Sequence, residues 1–181
     1  MSSILKVDQL QDSGGNALIT SDGSGNITTQ KLLYPAFEAK LSVQQAVGTN
    51  AARNKINFDE EVFDTDNCYD HTTNYRFTPN VAGKYLCHLS VRSGENNGSA
   101  LKECSSQIRF NGASGIYENF LDLTSTAGKS FTPTLVTILE FNGTTDYIEA
   151  YAWYESTAFT GGGTENFSET GTFFGAYRIG S

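Results

Sequence analysis

Apolar and polar residues alternate along much of the chain from Tyr34 onward, which is the pattern of half-buried β-strands. Segment 84–92 shows this most clearly, because every second side chain is apolar: Tyr85, Cys87, Leu89 and Val91. Similar runs occupy 115–123, 134–141, 146–155 and 172–179, separated by glycine- and asparagine-rich turn signals. Short strands at this spacing predict an all-β antiparallel sandwich or barrel.

Two of these runs are apolar on both faces. Residues 134–139 read Thr-Leu-Val-Thr-Ile-Leu, and residues 147–154 read Tyr-Ile-Glu-Ala-Tyr-Ala-Trp-Tyr. In a lone sandwich one face of each strand should be polar. The second apolar face therefore predicts a further burial partner, most simply another copy of the chain. The alternative is that long loops of the same chain cover these faces.

Residues 1–33 differ from the rest and form a predicted N-terminal arm. Short apolar stretches at 4–7 and 17–19 are separated by the turn clusters 12–16 and 21–26, which is β-hairpin chemistry. The pieces starting at Gly15 and Gly25 resemble a degenerate repeat. The arm is too polar to bury a core alone and is expected to become ordered by docking, the alternative being a flexible leader. Its predicted attachment residues are Ile4, Leu5, Val7, Leu10, Leu18, Ile19 and Ile27.

Composition fits one domain with an appendage, since the chain has 181 residues and 38% hydrophobic content. Its 18 glycines and 3 prolines suit strands joined by tight turns. A formal net charge of -8 opposes binding to a phosphate backbone, so nucleic acid is not an expected partner. The first residues lack a secretory h-region, and no run approaches the roughly 18 apolar residues of a membrane span, so a soluble chain without membrane insertion is expected.

Cysteine and histidine positions bear on metal binding. Three cysteines, Cys68, Cys87 and Cys104, cannot all pair within one chain, and we predict reduced thiols that pack as small apolar residues. A zinc site built from Cys68, His71, Cys87 and His88 is disfavoured, because adjacent strand residues such as Cys87 and His88 point to opposite faces.

An acidic stretch at 59–70 contains candidate calcium ligands, Asp64, Asp66 and Asp70. It lacks the spacing of an EF-hand loop, so a solvated acidic loop is the favoured interpretation and no metal is expected. The sequence has two histidines and neither a G-x-S-x-G nor a phosphate-cradling glycine loop. It therefore predicts a protein that is not an enzyme, with no catalytic residue and no cofactor.

From residue 35 to the end the chain resembles the C1q/TNF-like domain. Segment 35–39 is similar to the family's first core strand, in which Phe and Ala alternate, and 81–85 is similar to its P-x-x-G-x-Y turn and strand. Segment 172–179 resembles the terminal strand, and further similar segments lie at 58–64, 69–79 and 108–112. One departure is the replacement of the family's apolar G-D-x-V segment by Phe-Asn-Gly-Thr-Thr-Asp-Tyr at 141–147.

This resemblance implies an antiparallel jelly roll over residues 34–181 that assembles as a homotrimer through aromatic and aliphatic faces. Together with the two-faced strands it gives a predicted trimer interface of Leu135, Ile138, Tyr147, Tyr151, Trp153, Phe173 and Tyr177.

The arm looks like the start of short fibre and appendage proteins of tailed phages, on the strength of Leu-Lys-Val-Asp-Gln-Leu at 5–10 and Asp-Gly-Ser-Gly-Asn-Ile at 22–27. This second resemblance implies a virion surface protein, assembled in the host cytoplasm, whose arm binds other virion proteins. The jelly roll would then face outward as a fibre knob and contact a host glycan or protein through loops 93–100 and 159–166. Two alternatives stay open: a capsid decoration, cement or head-fibre protein that stabilises the shell, and a bacterial or secreted C1q-like binding module.

Overall fold

The computed structural model describes residues 7–29, 34–95, 100–125, 128–161 and 163–181. The chain divides into two compact units, Met1–Tyr34 and Pro35–Ser181. All regular secondary structure in the described ranges is β-strand. A helix with the length and apolarity needed to cross a membrane does not occur in them.

The N-terminal unit is an antiparallel meander of three strands, β1 (Gln9–Gln11), β2 (Ala17–Ser21) and β3 (Ile27–Thr29). Its two turns are built alike. Asp12 Oδ1 accepts the backbone N–H of Asn16 at 2.9 Å, and Asp22 Oδ1 accepts that of Asn26 at 3.1 Å. Each asparagine Nδ2 donates back to Oδ2 of its aspartate. The degenerate sequence repeat is therefore a repeat of one aspartate-nucleated hairpin turn.

The second unit contains the remaining strands. In chain order they are β4 (Ala36–Lys40), β5 (Gln45–Ala46), β6 (Ala52–Lys55), β7 (Glu60–Asp64), β8 (Tyr69–Asp70), β9 (Arg76–Phe77), β10 (Gly83–Ser90), β11 (Ser93–Glu95), β12 (Leu101–Phe110), β13 (Ala113–Asp122), β14 (Ser130–Phe131), β15 (Thr134–Phe141), β16 (Ile148–Ser156), β17 (Glu165–Phe167) and β18 (Phe173–Gly180).

Three antiparallel sheets are formed by these strands. A five-stranded sheet has the order β15-β10-β18-β4-β7, and a second sheet has the order β13-β12-β16-β9-β8 with β6 also pairing with β16. A smaller sheet has the order β14-β11-β17-β5. Apart from the β12–β13 and β8–β9 pairs, neighbours in these sheets are not consecutive in sequence, as in a jelly roll. The predicted all-β antiparallel class is confirmed.

Aromatic side chains join the two larger sheets. Phe37 of β4 stacks on Phe77 of β9 with ring centroids 4.5 Å apart, and Phe77 meets Tyr85 of β10 edge to face at 5.8 Å. Phe141 of β15 lies 5.0 Å from Tyr85. All four side chains are buried, and burying each contributes about 1.5–3 kcal/mol. This cluster therefore supplies much of the attraction between the two layers.

The cysteines belong to this core. Cys68, Cys87 and Cys104 are buried, as the prediction of core thiols requires. Burial raises the pKa of Cys87 and of Cys104 to about 12, because desolvation disfavours the thiolate. These side chains therefore pack as small apolar groups.

The segment that departs from the family pattern forms a tight turn between β15 and β16. Asn142 Oδ1 accepts the backbone N–H groups of Thr144, Thr145 and Asp146 at 2.9, 2.9 and 3.1 Å. Gly143 has a φ of 72°, and a Cβ there would lie 2.3 Å from a backbone nitrogen of the adjacent loop. The segment that differs from the C1q/TNF-like pattern is therefore an asparagine-capped turn.

Candidate functional site

The five-stranded sheet has one face on the core and one face turned away from it. On β10 the core side carries Tyr85, Cys87 and Leu89, so Leu86 and His88 lie on the other side, as a period of two requires. Register with the neighbouring strands extends this second surface across the sheet. We call it the open face, and its main side chains are Phe63, Leu86, His88, Val136, Ile138, Phe173 and Tyr177.

Large apolar side chains on the open face are exposed. Val136 is 58% exposed, Ile138 55% and Phe173 38%. Strand register sets Leu86 between Ile138 and Tyr177, so the apolar positions are neighbours across three strands. A connected apolar surface of this kind marks an interaction site.

A polar group lies among these apolar side chains. The His88 ring stacks on Tyr177 with an interplanar angle of 18° and centroids 5.7 Å apart, and its Nε2 lies 3.8 Å from Glu38 Oε2. The Tyr177 hydroxyl donates to the same Glu38 oxygen at 3.3 Å. On β18, a Cβ at Gly175 would come within 2.3 Å of His88 Cε1. The glycine therefore leaves the space that the imidazole ring fills.

Burial lowers the pKa of His88 from its usual 6.5, and the charge of Glu38 offsets part of that effect. Burial also raises the pKa of Tyr177, and the charge of Glu38 and the hydrogen bond to it act in the same direction. Both rings are thus favoured in their neutral forms near neutral pH.

The outward row of β16 differs from the open face because cations of the same chain cover it. Four alternate positions each meet a cationic side chain: Lys55 Nζ pairs with Glu149 at 2.5 Å, Arg109 lies over the Tyr151 ring at 3.6 Å, Arg53 lies over Trp153 at 5.3 Å, and Lys102 pairs with Glu155. Such cation–π contacts are each worth about 0.5–2 kcal/mol. The charges and rings along this row therefore have contacts within one chain, whereas Phe120 beside Trp153 is 43% exposed.

The predicted interface residues are consequently divided between surfaces. Ile138, Phe173 and Tyr177 lie together on the open face. Leu135 is half-buried and packs against the core. The other three, Tyr147, Tyr151 and Trp153, lie on the other large sheet, where Arg76 covers the Tyr147 ring at 4.6 Å.

Sequence reasoning missed several members of the open face. Val136 is two positions from Ile138 and must share its face, so strand period alone would have identified it. Strand period also placed Leu86 and His88 together on the outer side of β10. Which strands lie beside them, and that Phe63 belongs to the same surface, depends on pairing between distant parts of the chain.

The candidate calcium ligands support loop structure. Asp64 accepts backbone N–H groups from Asp66 at 3.2 Å and from Tyr69 at 2.7 Å. The Asp70 carboxylate accepts the backbone N–H groups of Thr72, Thr73 and Asn74. These hydrogen bonds hold the pKa of the Asp70 carboxyl far below its usual range. In the part of the chain that the structure describes, no group of three or more His, Cys, Asp or Glu side chains is arranged to hold a metal ion.

A polar surface cleft of about 520 Å³ lies beside this acidic stretch and includes Glu61, Asp70, His71 and Arg76. Glu61 Oε1 lies 2.6 Å from His71 Nδ1. His71 is thus separate from Cys87, which is in the core, and from His88, which is on the open face. The disfavoured zinc set is not brought together.

The two segments predicted as exposed recognition loops need correction. Ser93–Glu95 is strand β11 and pairs with strand β17, Glu165–Phe167, in the smaller sheet. Ser93, Glu165 and Asn166 are buried. Glu165 accepts backbone N–H groups from Thr160 at 2.9 Å and from Gly161 at 3.0 Å, so the carboxylate organises the preceding loop. Positions 96–99 and 162 lie outside the described residues.

The predicted attachment residues of the arm are exposed where the structure describes them. Val7, Leu10, Leu18, Ile19 and Ile27 are between 41% and 69% exposed. Leu10 is the register partner of Ile19, and Ile27 is opposite Ser21, two positions further along β2, so these three apolar side chains share one face of the meander. Positions 4 and 5 of the predicted set lie outside the described residues.

The fold and its open face define a C1q/TNF-like jelly roll, and comparison with solved structures agrees. A crystal structure of murine APRIL at pH 5.0 matches with a TM-score of 0.56 at 10% identity, covering 81% of this chain and 99% of that one. A second murine APRIL structure, at pH 8.0, matches at 0.55 and 9% over the same shares. The Eiger TNF structure from S. frugiperda matches at 0.49 and 12%, covering 82% of this chain and 92% of that one.

At such identities the likeness establishes fold alone, which here is the jelly roll that the sequence predicted. No model of a protein family matches the chain, and no curated protein matches it.

Proposed function

We propose that this chain is a non-enzymatic binding and structural module that assembles as a homotrimer through the open face. In this proposal its N-terminal arm attaches the trimer to the surface of a tailed-phage virion, where the jelly roll faces outward as a fibre knob. The observation that carries the proposal is the connected, solvent-exposed apolar surface around Val136, Ile138 and Phe173.

Burial energetics favour self-association through this surface. Complete burial of an aliphatic side chain contributes about 1.5–3 kcal/mol, so covering the exposed half of Val136 or Ile138 contributes roughly 1 kcal/mol in each copy. The other large sheet is a weaker candidate, because arginines already cover three of its outward aromatic rings. Phe120 on the same sheet is 43% exposed. We infer three chains per assembly from the resemblance to the C1q/TNF-like domain, whose jelly rolls are trimeric.

Sedimentation equilibrium of the full chain tests the trimer. Ile138→Asp should give folded monomers, because a charge is tolerated on an exposed position but costs several kcal/mol when buried without a partner. Val43→Asp is the matched control, since Val43 is 68% exposed and lies in a bend outside the strands that form the open face. A monomeric wild type, or a trimeric Ile138→Asp variant, would contradict the proposed interface.

The arm supports the attachment part of the proposal because it is a separate compact unit with exposed apolar residues on a short sheet. Its outer strands β1 and β3 offer unpaired backbone groups that a partner sheet can satisfy. Deleting residues 1–30 should leave a folded trimer with nearly the same melting temperature and abolish its incorporation into virions. Unfolding of the truncated chain, or its normal incorporation, would refute this division of labour.

Imaging of intact particles with labelled protein distinguishes a fibre knob from a capsid decoration or cement protein, because the two differ in where the arm docks. Absence of the protein from purified virions would refute both. The likeness to murine APRIL in fold then favours the remaining candidate, a bacterial or secreted C1q-like binding module.

A further inference from the structure

We infer that His88 makes self-association through the open face sensitive to acid, so that the assembly is stable near neutral pH and dissociates as His88 gains a proton. This inference rests on the proposed function, since it names a regulatory group within the same interface. His88 lies on β10, which pairs with β15 on one side and with β18 on the other.

The imidazole is held in a fixed place. Its ring lies over Gly175, stacks on Tyr177 at 5.7 Å and is tilted against Phe173 with centroids also 5.7 Å apart. The side chain is only 16% exposed before any partner covers the face. A second copy seated on the exposed neighbours Val136 and Phe173 would exclude most of the remaining water.

The groups that face His88 can only partly compensate a positive charge. Glu38 of β4 is the nearest carboxylate at 3.8 Å, and it also accepts the Tyr177 hydroxyl. On β15 the register partner of His88 is the uncharged Val136. Charged residues on these two strands lie four positions further along, where Lys84 of β10 is the register partner of Glu140 of β15. On β4 and β7, Lys40 and Glu60 form an ion pair at 2.9 Å, and Lys40 is the register partner of Phe173. A protonated His88 would therefore have Glu38 as its nearest carboxylate and several apolar groups around it.

The direction of the pH effect follows from proton binding. Burial lowers the pKa of His88, and covering the face lowers it further, so a dissociated copy binds protons more readily than an assembled one. Association is then at full strength when the pH is above the pKa of His88 in the dissociated chain. It weakens as the pH falls from there towards the lower pKa of His88 in the assembled trimer. With one proton per copy, the trimer's dissociation constant rises by up to about 1,000-fold per pH unit in that window.

The chain offers a matched control because it has only two histidines, His71 and His88. His71 lies in the polar cleft, paired with Glu61, and not on the open face. Sedimentation velocity of the full chain between about pH 8 and about pH 5.5 keeps most carboxylates ionised and extends below the ordinary pKa of an imidazole. The wild type and His71→Gln should dissociate at the acidic end, whereas the association of His88→Gln, whatever its strength at pH 8, should not weaken as the pH falls.

Circular dichroism at each pH shows whether the dissociated chains remain folded, as the inference requires. A wild type that stays trimeric at every pH would overturn the inference and leave the proposed trimer intact. Dissociation of His88→Gln at the acidic end would also overturn it, as would acid unfolding of the wild type before dissociation. A chain that is monomeric at every pH would instead refute the proposed function.

Discussion

Substituting Gly175 by alanine should destabilise the jelly roll, although alanine is the smallest possible addition. A Cβ at this position would lie 2.3 Å from His88 Cε1, 2.7 Å from His88 Nε2 and 2.8 Å from the backbone oxygen of Phe37. Gly175 has no positive φ, so the strain comes from space and not from backbone conformation. The imidazole can rotate away, but the Phe37 oxygen belongs to strand β4 and cannot move without disturbing the sheet.

Overpacking of this kind costs about 1–3 kcal/mol. For a chain of this length, 1 kcal/mol lowers the melting temperature by about 2–4 °C, so Gly175→Ala should melt roughly 2–12 °C below the wild type. Gly180→Ala, on the same strand, is the control, because nothing lies within 4 Å of its Cβ position. Gly180→Ala should change the free energy of unfolding by no more than about 0.5 kcal/mol, so its melting temperature should stay close to that of the wild type.

A double-mutant cycle separates the two contacts. In a His88→Ala background the ring is gone, so adding alanine at Gly175 should cost less but still meet the Phe37 oxygen. Thermal unfolding followed by circular dichroism, with urea titration for the free energy, provides the values. An unchanged melting temperature for Gly175→Ala, or equal losses at Gly175 and Gly180, would refute the packing argument.

Three further predictions concern other parts of the chain. Cys87 and Cys104 should resist thiol reagents in the folded protein and react on denaturation, because burial raises both pKa values to about 12; rapid labelling under native conditions would contradict this. Arg109→Ala should lower the unfolding free energy by about 0.5–2 kcal/mol by uncovering Tyr151, without changing the oligomeric state in sedimentation. Asp22→Ala should speed hydrogen exchange in the arm only, because its carboxylate holds one turn of that unit.

Strand period was a sound guide wherever one face of a strand was polar. On β10 it predicted which side chains enter the core, and Tyr85, Cys87 and Leu89 are all buried there. It failed to decide between surfaces on β15 and β16, because both strands are apolar on both faces. The deciding information was the identity of the neighbouring strands, and that is set by pairing between distant parts of the chain.

The recognition loops were misassigned for a similar reason. Segment 159–166 is rich in glycine and polar residues, which predicts an exposed loop. Glu165 is nevertheless buried, since β17 pairs with β11 and β5 in the smaller sheet. A carboxylate that accepts backbone N–H groups of its own loop can be buried at little cost, and that hydrogen bonding is not visible in the sequence.

Charge is what separates the two outer surfaces of the sandwich. On β16 the acidic residues Glu149 and Glu155 pair with Lys55 and Lys102, and the rings between them lie under arginines, so the outward charges of this strand are paired within the chain. The open face has aliphatic and aromatic side chains around His88, whose ring stacks on Tyr177 and lies near Glu38. A surface whose charges are paired can face water without loss, whereas exposed aliphatic groups are stabilised only when another surface covers them. The open face is therefore the surface from which assembly should proceed, and His88 is the group through which pH can act on it.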